Sequence, residues 1–317
     1  MSVNTIEQGS AIPETLDADI AAEEYFGFDR PQKILIVEGE NDLDVLNSFL
    51  YLNNMDVDFE IRTAQMVDKD DNSGKKVALT YYKNNSNKQD IRLLIDRDYD
   101  FICSMNKDDE HIFYYDFYEL ENYIFEEEVL KLALISNGIK TEQIDKVVKF
   151  FQSGQLDFLK PLIACSKLRI FRELHKVKKV NQLEEETIRK YASFVRNIDI
   201  KGCLLGKNPK YIGDTFEERF ENYLKKELNE IDSDLYNVIE KEFGNLEIVY
   251  PNTFYDFFKF YFKGKDIIKF LPDLLKVSEI IKSNLNEFSS KKLLNTFIFK
   301  SELYKIKILK ICNSFRS

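Results

Sequence analysis

Two apolar runs in this sequence end in acidic residues, and these carboxylates are the side chains best suited to do chemistry. The runs are ILIV at 34–37 and IRLLI at 91–95. The first is wholly apolar and the second is apolar apart from Arg92, which predicts two buried strands of a parallel sheet. The acids that follow them are Glu38, Asp42, Asp96 and Asp98. Because loops at the carboxyl ends of strands form the ligand crevice of open α/β sheets, neighbouring strands would bring these acids to one site.

Carboxylates that crowd together repel one another unless a cation lies between them or their pKa values rise. Two like charges ~4 Å apart repel by about 4 kcal/mol at an effective dielectric of 20. Clustered oxygen donors without His or Cys suit Mg²⁺ or Mn²⁺, which accept substrate phosphate oxygens and support phosphodiester hydrolysis. Acidic loops and helix first turns also occur without any metal. The spacing alone leaves both interpretations open.

The elements that must position these acids alternate between residues 31 and 125. Apolar spacing predicts a helix over 42–53 and another over 75–85, and it predicts strands over 57–61 and 112–117 besides the two apolar runs. The order βαβαβ…β indicates a small parallel sheet with helices on its faces.

Beyond residue 125 the apolar period becomes 3.6, which predicts a predominantly helical domain over 126–317. Its predicted helices are EEEVLKLALI, DKVVKFF, LKPLIACSKLRIFRELHKV, EEETIRKYASFV, DTFEERFENYLKKELNEI, NTFYDFFKFYF and SEIIKSNL. Residues 1–30 carry seven carboxylates against one arginine, which indicates an acidic arm. Ile306, Ile308, Leu309 and Ile311 near the C-terminus are expected to be buried.

Composition excludes several classes of protein. A hydrophobic content of 44% over 317 residues rules out a disordered chain, and the net charge of −10 argues against nucleic acid coating the whole surface. Four scattered cysteines without CxxC predict buried thiols rather than disulfides or a zinc site. The first residues show no signal-peptide pattern, and no apolar run approaches the ~20 residues of a membrane span. A cytoplasmic protein is therefore expected.

Four segments, in order, resemble the TOPRIM domain of topoisomerases, primases and OLD-family nucleases, in particular its defence-associated, OLD-like branch. They are ILIVEGEND at 34–42, LLIDRDYD at 93–100, YELENYIF at 118–125 and YFKGKDIIKFL at 261–271. The resemblance implies an α/β TOPRIM fold, with a small Rossmann-like parallel sheet over 31–125, followed by the helical domain.

The resemblance also implies roles for individual residues. The metal ligands would be Glu38, Asp42, Asp96, Asp98 and Glu121, and the catalytic residues Glu38, Asp96, Asp98 and Lys265. Glu38 is either a general acid/base or a metal ligand, since the family uses both. Lys265 would contact the scissile phosphate or stabilise transition-state charge, and its alternative is an exposed lysine after a turn glycine. Gly39 is expected to permit a close backbone turn.

Within that branch, length and motif order resemble the TOPRIM effectors of the PARIS anti-phage system. This likeness implies a Mg²⁺- or Mn²⁺-dependent nuclease toxin, held by an ABC-type ATPase partner and released to cut RNA, with tRNA the expected target. It also implies a homodimer when free. The chain lacks GxxxxGK[ST], so any ATP dependence would come from the partner. The alternatives are a DNA-cleaving OLD-like nuclease or primase-like enzyme, and a non-catalytic TOPRIM interaction subunit.

Residues 160–180 form a basic segment in an acidic protein, with seven basic residues against Glu173 alone. Such clustering favours a phosphate-binding surface beside the site. The residues expected to bind nucleic acid are Lys167, Arg169, Arg172, Lys176, Lys178 and Lys179. A solvated helix face, or a surface for an acidic partner, is the alternative. The aromatic segment over 252–262 is expected to pack in the core.

Overall fold

A four-stranded parallel sheet forms the N-terminal part of the fold. A computed structural model of the chain describes residues 33–68, 72–153, 156–178, 183–207, 209–244, 250–281 and 298–316, so the predicted acidic arm lies outside the described residues. The strands are β1 (Ile34–Val37), β2 (Glu60–Thr63), β3 (Ile91–Ile95) and β4 (Ile112–Tyr114). Their order across the sheet is β2-β1-β3-β4, with every pair parallel. The α/β sheet predicted from the sequence is confirmed.

Helices connect the strands and then make up nearly all of the remaining described chain. Those between strands are α1 (Glu40–Leu52), α2 (Ala64–Val67) and α3 (Lys75–Asn84). After β4, a 3₁₀ helix over Leu120–Phe125 leads into α4 (Glu127–Ser136), α5 (Thr141–Gln152), α6 (Leu156–Lys178), α7 (Glu185–Arg196), α8 (Ile200–Leu205), α9 (Phe216–Ile231), α10 (Leu235–Gly244), α11 (Phe254–Phe260), α12 (Gly264–Val277) and α13 (Glu302–Ser314). Short 3₁₀ turns lie at Lys88–Asp90 and Ile298–Lys300. The predicted, largely helical C-terminal region is confirmed.

Strand β1 is wholly apolar and is buried on both faces, as its composition requires. On one face Leu35 and Val37 of β1 pack against α1. On the other, Ile34 and Ile36 pack with Ala78 of α3. Because side chains alternate along a strand, four consecutive apolar residues place two on each face.

The C-terminal helix α13 packs on the sheet, although its apolar period of 3.6 predicts that it belongs to the helical domain. Tyr304 and Ile308 are buried in the cluster that contains Leu35. Arg92 of β3 donates from Nη2 to the Ser314 carbonyl oxygen at 2.5 Å, and its guanidinium lies over the Phe315 ring. The chain therefore returns to cover the sheet with its last described helix.

Two predictions about the C-terminal part differ from the structure. Residues 278–281 form a turn and not a helix, with Glu279 at φ +58°, and the rest of the predicted segment lies outside the described residues. Ile308 and Ile311 are buried as expected, whereas Ile306 is 59% exposed and Leu309 41% exposed. Helix α13 contacts the sheet along one face only, so residues on its far side remain exposed.

The cysteines and the aromatic segment behave as predicted. All four cysteines are buried as thiols. Phe254, Phe257, Phe258 and Phe262 are fully buried in the helical core. No helix in the described part of the chain is long and apolar enough to cross a membrane.

Asn122 joins the sheet region to the helical region. Its amide nitrogen donates to the carbonyl oxygens of Phe258 and Phe262, the latter at 2.8 Å. Its Oδ1 accepts from the Glu119 amide at 3.1 Å. The side chain is fully buried, so each of these backbone groups depends on Asn122 for its hydrogen bond.

We expect Asn122→Ala to lower the free energy of unfolding by about 2–4 kcal/mol, because it leaves buried carbonyl and amide groups without partners. Chemical denaturation measures this. The control is Asn222→Ala, which removes one exposed hydrogen bond to the Ile212 carbonyl oxygen and should cost about 1 kcal/mol or less. Equal losses in the two variants would contradict the role of Asn122 as a joint.

Candidate functional site

Glu38 and Asp96, which follow different strands, are in direct contact. Val37 pairs with Leu94 in the β1–β3 register, so the residues after the two strands come side by side. The Asp96 backbone amide donates to Glu38 Oε1 at 2.9 Å. Asp96 Oδ1 is buried and has no hydrogen-bond partner among the described residues. The structure therefore joins the first two acids of the predicted site.

Asp98 lies beside them and is held by a lysine. Lys75 Nζ is 2.8 Å from Asp98 Oδ2 and 3.0 Å from Asp100 Oδ2. The Gly74 amide donates to the Glu38 carbonyl oxygen, which positions the start of α3 at this edge of the sheet. Asp98 has φ +47°, a left-handed conformation that Asp tolerates better than most residues. The third predicted carboxylate thus has a cationic partner from the chain itself.

Asp42, in the first turn of α1, completes the acidic edge from the other side. Tyr115, the residue after β4, donates from Oη to Asp42 Oδ1 at 2.8 Å. Gly39 is extended at φ −160°, and a Cβ there would come no closer than 3.9 Å to Asp42 Oδ2. The position therefore has room for a side chain, and the close turn expected from its glycine does not form.

Helix α12 brings Lys265 to the same region. Lys265 Nζ is 3.5 Å from Glu121 Oε1, and the Lys265 backbone amide donates to Glu119 Oε1 at 2.8 Å. Gly264 makes this approach possible, because a Cβ there would lie 2.7 Å from Asn122 Oδ1 and 2.9 Å from Glu121 Cβ. The Lys265 side chain is 42% exposed, so its ammonium remains accessible from solvent.

Burial and mutual repulsion raise the pKa values of Glu38, Asp42 and Asp96 at the sheet edge. Burial, followed by the charge of Asp98, raises the pKa of Glu38 from 4.5 to about 7. Burial and the charges of Glu38 and Asp42 raise the pKa of Asp96 well above its ordinary value. Burial also raises the pKa of Asp42, against the hydrogen bond from Tyr115. Glu38 is therefore close to half-protonated at neutral pH.

The acids near Lys265 show the same pattern with a cation added. Burial and then Glu121 raise the pKa of Glu119 to about 8. Burial raises the pKa of Glu121, and the charge of Lys265 opposes the rise. Burial disfavours the charged form of Lys265, but attraction to the carboxylates, Glu121 foremost, raises its pKa above the usual value. Because Asp42 contributes to the pKa shifts of both Glu121 and Lys265, the two groups of acids belong to one electrostatic cluster.

The oxygen atoms of these acids are suitable ligands for a divalent cation, but their present positions suit it less well. All the acids offer hard oxygen ligands, and Asp96 Oδ1 is a buried acceptor without a hydrogen-bond partner among the described residues. Within the described residues, however, no group of three or more His, Cys, Asp or Glu side chains is placed to hold a metal ion. Asp98 points to Lys75, so its coordination of a metal requires it to exchange the ammonium for the ion.

The predicted basic surface is only partly described, and two of its arginines have partners within the fold. Arg169 is 8% exposed, with Nη2 2.6 Å from Asp266 Oδ2 and its guanidinium over the Phe262 ring. Arg172 pairs with Glu173. Arg169 therefore stabilises the contact between α6 and α12, whereas the basic segment predicts that it lies on a phosphate-binding surface.

The structure describes the remaining members of that set to different extents. Lys167 is partly buried, close to Leu168 and Lys160. Lys176 and Lys178 lie in the last turns of α6, and their side chains are outside the described part of the structure, as is Lys179 altogether. Of the six residues expected to bind nucleic acid, Lys167 is therefore the one lysine whose side chain the structure describes.

Three site residues were missed by sequence reasoning. Lys75 gave no signal, because a lysine at the start of a helix is normally solvated. Tyr115 was included only as part of a strand. Glu119 was visible in the segment YELENYIF, two residues before Glu121, but only the second acid was singled out. Its capping of the 3₁₀ helix depends on the fold.

Comparison with known proteins gives no family assignment. No protein-family model matches the chain, and a search of curated proteins finds no significant match. The structure shows a parallel four-stranded α/β sheet, compatible with a Rossmann-like or TOPRIM domain, followed by a largely helical region.

The raised pKa values predict that stability falls as the pH rises. The carboxyl of Glu38 has a pKa of about 7 in the folded state against 4.5 ordinarily, so between these values the folded protein holds more protons than the unfolded chain. The free energy of unfolding then decreases with pH, by up to about 3 kcal/mol for this group. Glu38→Gln should flatten the decrease. Denaturation from about pH 5 to about pH 8 in the presence of EDTA measures it. The exposed control Glu142→Gln should keep the wild-type slope, and an unchanged slope in Glu38→Gln would refute the assignment.

Lys75→Met is expected to lower the free energy of unfolding by about 2 kcal/mol without divalent ions, because Asp98 and Asp100 lose a cation that is 15% exposed. Millimolar Mg²⁺ should restore more stability to this variant than to the wild type. Thermal denaturation with and without Mg²⁺ measures both effects. Lys76→Met, at the exposed neighbouring position, is the matched control. A variant as stable as wild type would show that the ion pair contributes nothing.

Proposed function

We propose that this chain is a divalent-metal-dependent nuclease of the TOPRIM type. The observation that carries the proposal is the hydrogen bond from the Asp96 backbone amide to the Glu38 carboxylate, which brings acids after neighbouring strands together, while Asp96 Oδ1 has no partner among the described residues. A buried carboxylate left unpartnered is costly in a protein that gains nothing from it. Binding of a cation would compensate that cost.

Phosphodiester hydrolysis needs an attacking oxygen, a proton for the leaving oxygen and a positive charge at the phosphate. Glu38, with a pKa of about 7, can accept or donate a proton near neutral pH. Lys265 has a partly exposed ammonium beside Glu121 and can neutralise charge on a phosphate oxygen. These two side chains lie in one electrostatic cluster, linked through Asp42 and Asp96.

A bound Mg²⁺ or Mn²⁺ would lower the pKa of an attacking water and stabilise the charge on the leaving oxygen. The residues that would hold it are Glu38, Asp42, Asp96 and Asp98, with Glu121 as a further ligand. Asp98 joins them when it leaves Lys75. The acids are oxygen donors throughout, which favours Mg²⁺ over metals that prefer nitrogen or sulfur.

The biological role rests on the motif resemblance. Among TOPRIM nucleases the chain resembles AriB of the PARIS anti-phage system in length and motif order. On that basis we propose a toxic effector, restrained by an ABC-type ATPase partner and free to form a homodimer on release, that cleaves RNA, and tRNA foremost, to block translation. A DNA-cleaving OLD-like nuclease shares the same site chemistry and differs only in substrate.

The ion pair between Lys75 and Asp98 favours one other function. A chain whose own lysine neutralises the carboxylates needs no metal at that position, as in a non-catalytic subunit that retains the TOPRIM shell. Such a subunit would show no divalent-dependent thermal shift. The nuclease proposal requires one.

We expect Asp96→Asn and Glu38→Gln each to lower nuclease activity by about 10²- to 10⁴-fold, because each removes a carboxylate from the reacting centre. The assay incubates the protein with tRNA, single-stranded DNA and plasmid in Mg²⁺, with fold checked by circular dichroism. Asp56→Asn, in the exposed loop before β2, is the control and should cleave as the wild type does. A well-folded Asp96→Asn protein with full activity would exclude this site as the catalytic centre.

The cellular counterpart compares RNA ends after expression of wild type and Glu38→Gln. New ends confined to the wild type, together with growth arrest, would identify the substrate. Arrest by both proteins with no new RNA ends would overturn the nuclease effector and leave the non-catalytic subunit.

A further inference from the structure

A groove lined by lysines opens beside the acidic site. It lies between α3 and the loop from residue 100 to residue 109, with a volume of about 660 Å³. Five lysines line it: Lys75, Lys76, Lys83, Lys88 and Lys107. Lys75 and Asp100 belong both to the groove and to the ion-pair cluster of Asp98, so one end of the groove meets the acidic site.

Four of these lysines are exposed and have no carboxylate partner in the described part of the chain. Lys76 and Lys83 lie seven residues apart on α3, which places them on one helical face about 10 Å apart. Lys88 lies over the Tyr82 ring with its Nζ 5.5 Å from the centroid. Many other described lysines, such as Lys131 and Lys160, are ion-paired. Unpaired ammonium groups along one groove favour a polyanionic ligand.

The acids of the groove are mostly engaged elsewhere. Asp100 pairs with Lys75. Asp109 accepts from Tyr82 Oη at 3.0 Å and from the His111 amide at 2.9 Å. Among the described residues Asp108 has no such contact. The lining carries five lysines against three aspartates, so its net charge is positive.

An aromatic platform stands at the end of the groove that meets the site. Phe101, directly after Asp100, is 40% exposed although it is a large apolar side chain. The Arg97 guanidinium lies 4.2 Å from its ring centroid, and Tyr114 packs edge-on beneath it. Lys75 Nζ lies 5.7 Å from the Tyr114 ring centroid, which connects the platform to the lysines. Exposed aromatic rings beside cationic grooves are the stacking surfaces of single-stranded nucleic-acid binders.

We propose that this lysine groove binds the phosphate backbone of a single-stranded nucleic-acid segment, that Phe101 stacks on one of its bases, and that the strand is thereby led to Glu38 and Asp96. The proposal rests on the proposed nuclease function and names where its substrate binds. The lysines suit any polyanion, but the exposed ring beside an arginine favours bases over an acidic peptide. The groove also supplies a cationic surface that the basic segment of α6, with Arg169 buried, provides only in part.

The test is fluorescence anisotropy with labelled single-stranded RNA and DNA of equal length, in EDTA so that no cleavage occurs. The groove variant is Lys76→Gln/Lys83→Gln/Lys88→Gln. The matched control is Lys140→Gln/Lys146→Gln/Lys149→Gln, three exposed lysines at and along α5. We expect the groove variant to lose about tenfold or more in affinity and to reduce the salt slope by about 2, since each phosphate contact to a single strand contributes ~0.7. The control should bind as the wild type does.

A second variant separates nucleic acid from other polyanions. Phe101→Ala should weaken binding to RNA and DNA by about fivefold or more, the effect of a lost stacked base, and leave binding to inorganic polyphosphate unchanged. Equal binding by groove and control variants, or no binding of either strand by the wild type, overturns the proposal. A Phe101→Ala protein that binds RNA as the wild type does overturns the assignment of Phe101 as the stacking ring.

The two proposals fail in different ways. If groove variants lose binding while Asp96→Asn retains cleavage, the groove stands and the catalytic site falls. If Asp96→Asn is inactive while groove variants bind and cleave normally, the nuclease stands and the groove falls.

Discussion

The central constraint on this site is the repulsion among carboxylates at the carboxyl ends of parallel strands. The register of β1 and β3 forces Glu38 and Asp96 together, and burial removes the water that would screen their charges. Three features reduce this repulsion: a backbone hydrogen bond to Glu38, the ammonium of Lys75 beside Asp98, and raised pKa values that leave part of the cluster protonated. Under the proposed function, a cation bound among these carboxylates would allow a substrate phosphate to approach.

The helical region contributes to this site as well as enclosing the core. It carries Lys265 to the acids through the Gly264 backbone, which fits against Asn122 only because glycine has no Cβ. Asn122 in turn holds the carbonyl oxygens at the end of α11. Any displacement of α12 would therefore move the second cation of the site. Under the proposed function, a partner bound to the helical region would be able to alter the site at the sheet edge through this coupling.

Lysines act in two ways around the cluster. Lys75 and Lys265 have their charges engaged with site carboxylates, and their pKa values are raised for that reason. Lys76 and Lys83 of α3 have no such partner among the described residues, and they line the groove. The same helix therefore neutralises site carboxylates at its first residue and presents further positive charge along its length. A strand of phosphates lying in that groove would meet Lys75 next to the carboxylates, where an exchange of partners is possible.

The sequence by itself determined the parallel sheet, the change to helices and the meeting of Glu38 with Asp96. These follow from local composition, because a wholly apolar run buried on both faces, with acids at its end, has few other solutions. Helix α12 and the return of α13 to the sheet were not predicted, since both depend on contacts between residues far apart in the chain. The partners of Lys75 and Arg169 were decided in the same way. A lysine in a loop-to-helix junction or an arginine in a basic helix looks solvated in sequence, and only the packing of α3 on the sheet and of α6 on α12 gave each a carboxylate. Periodicity along the chain predicts which faces are buried, but which charges meet is fixed only when the tertiary structure brings distant elements into contact.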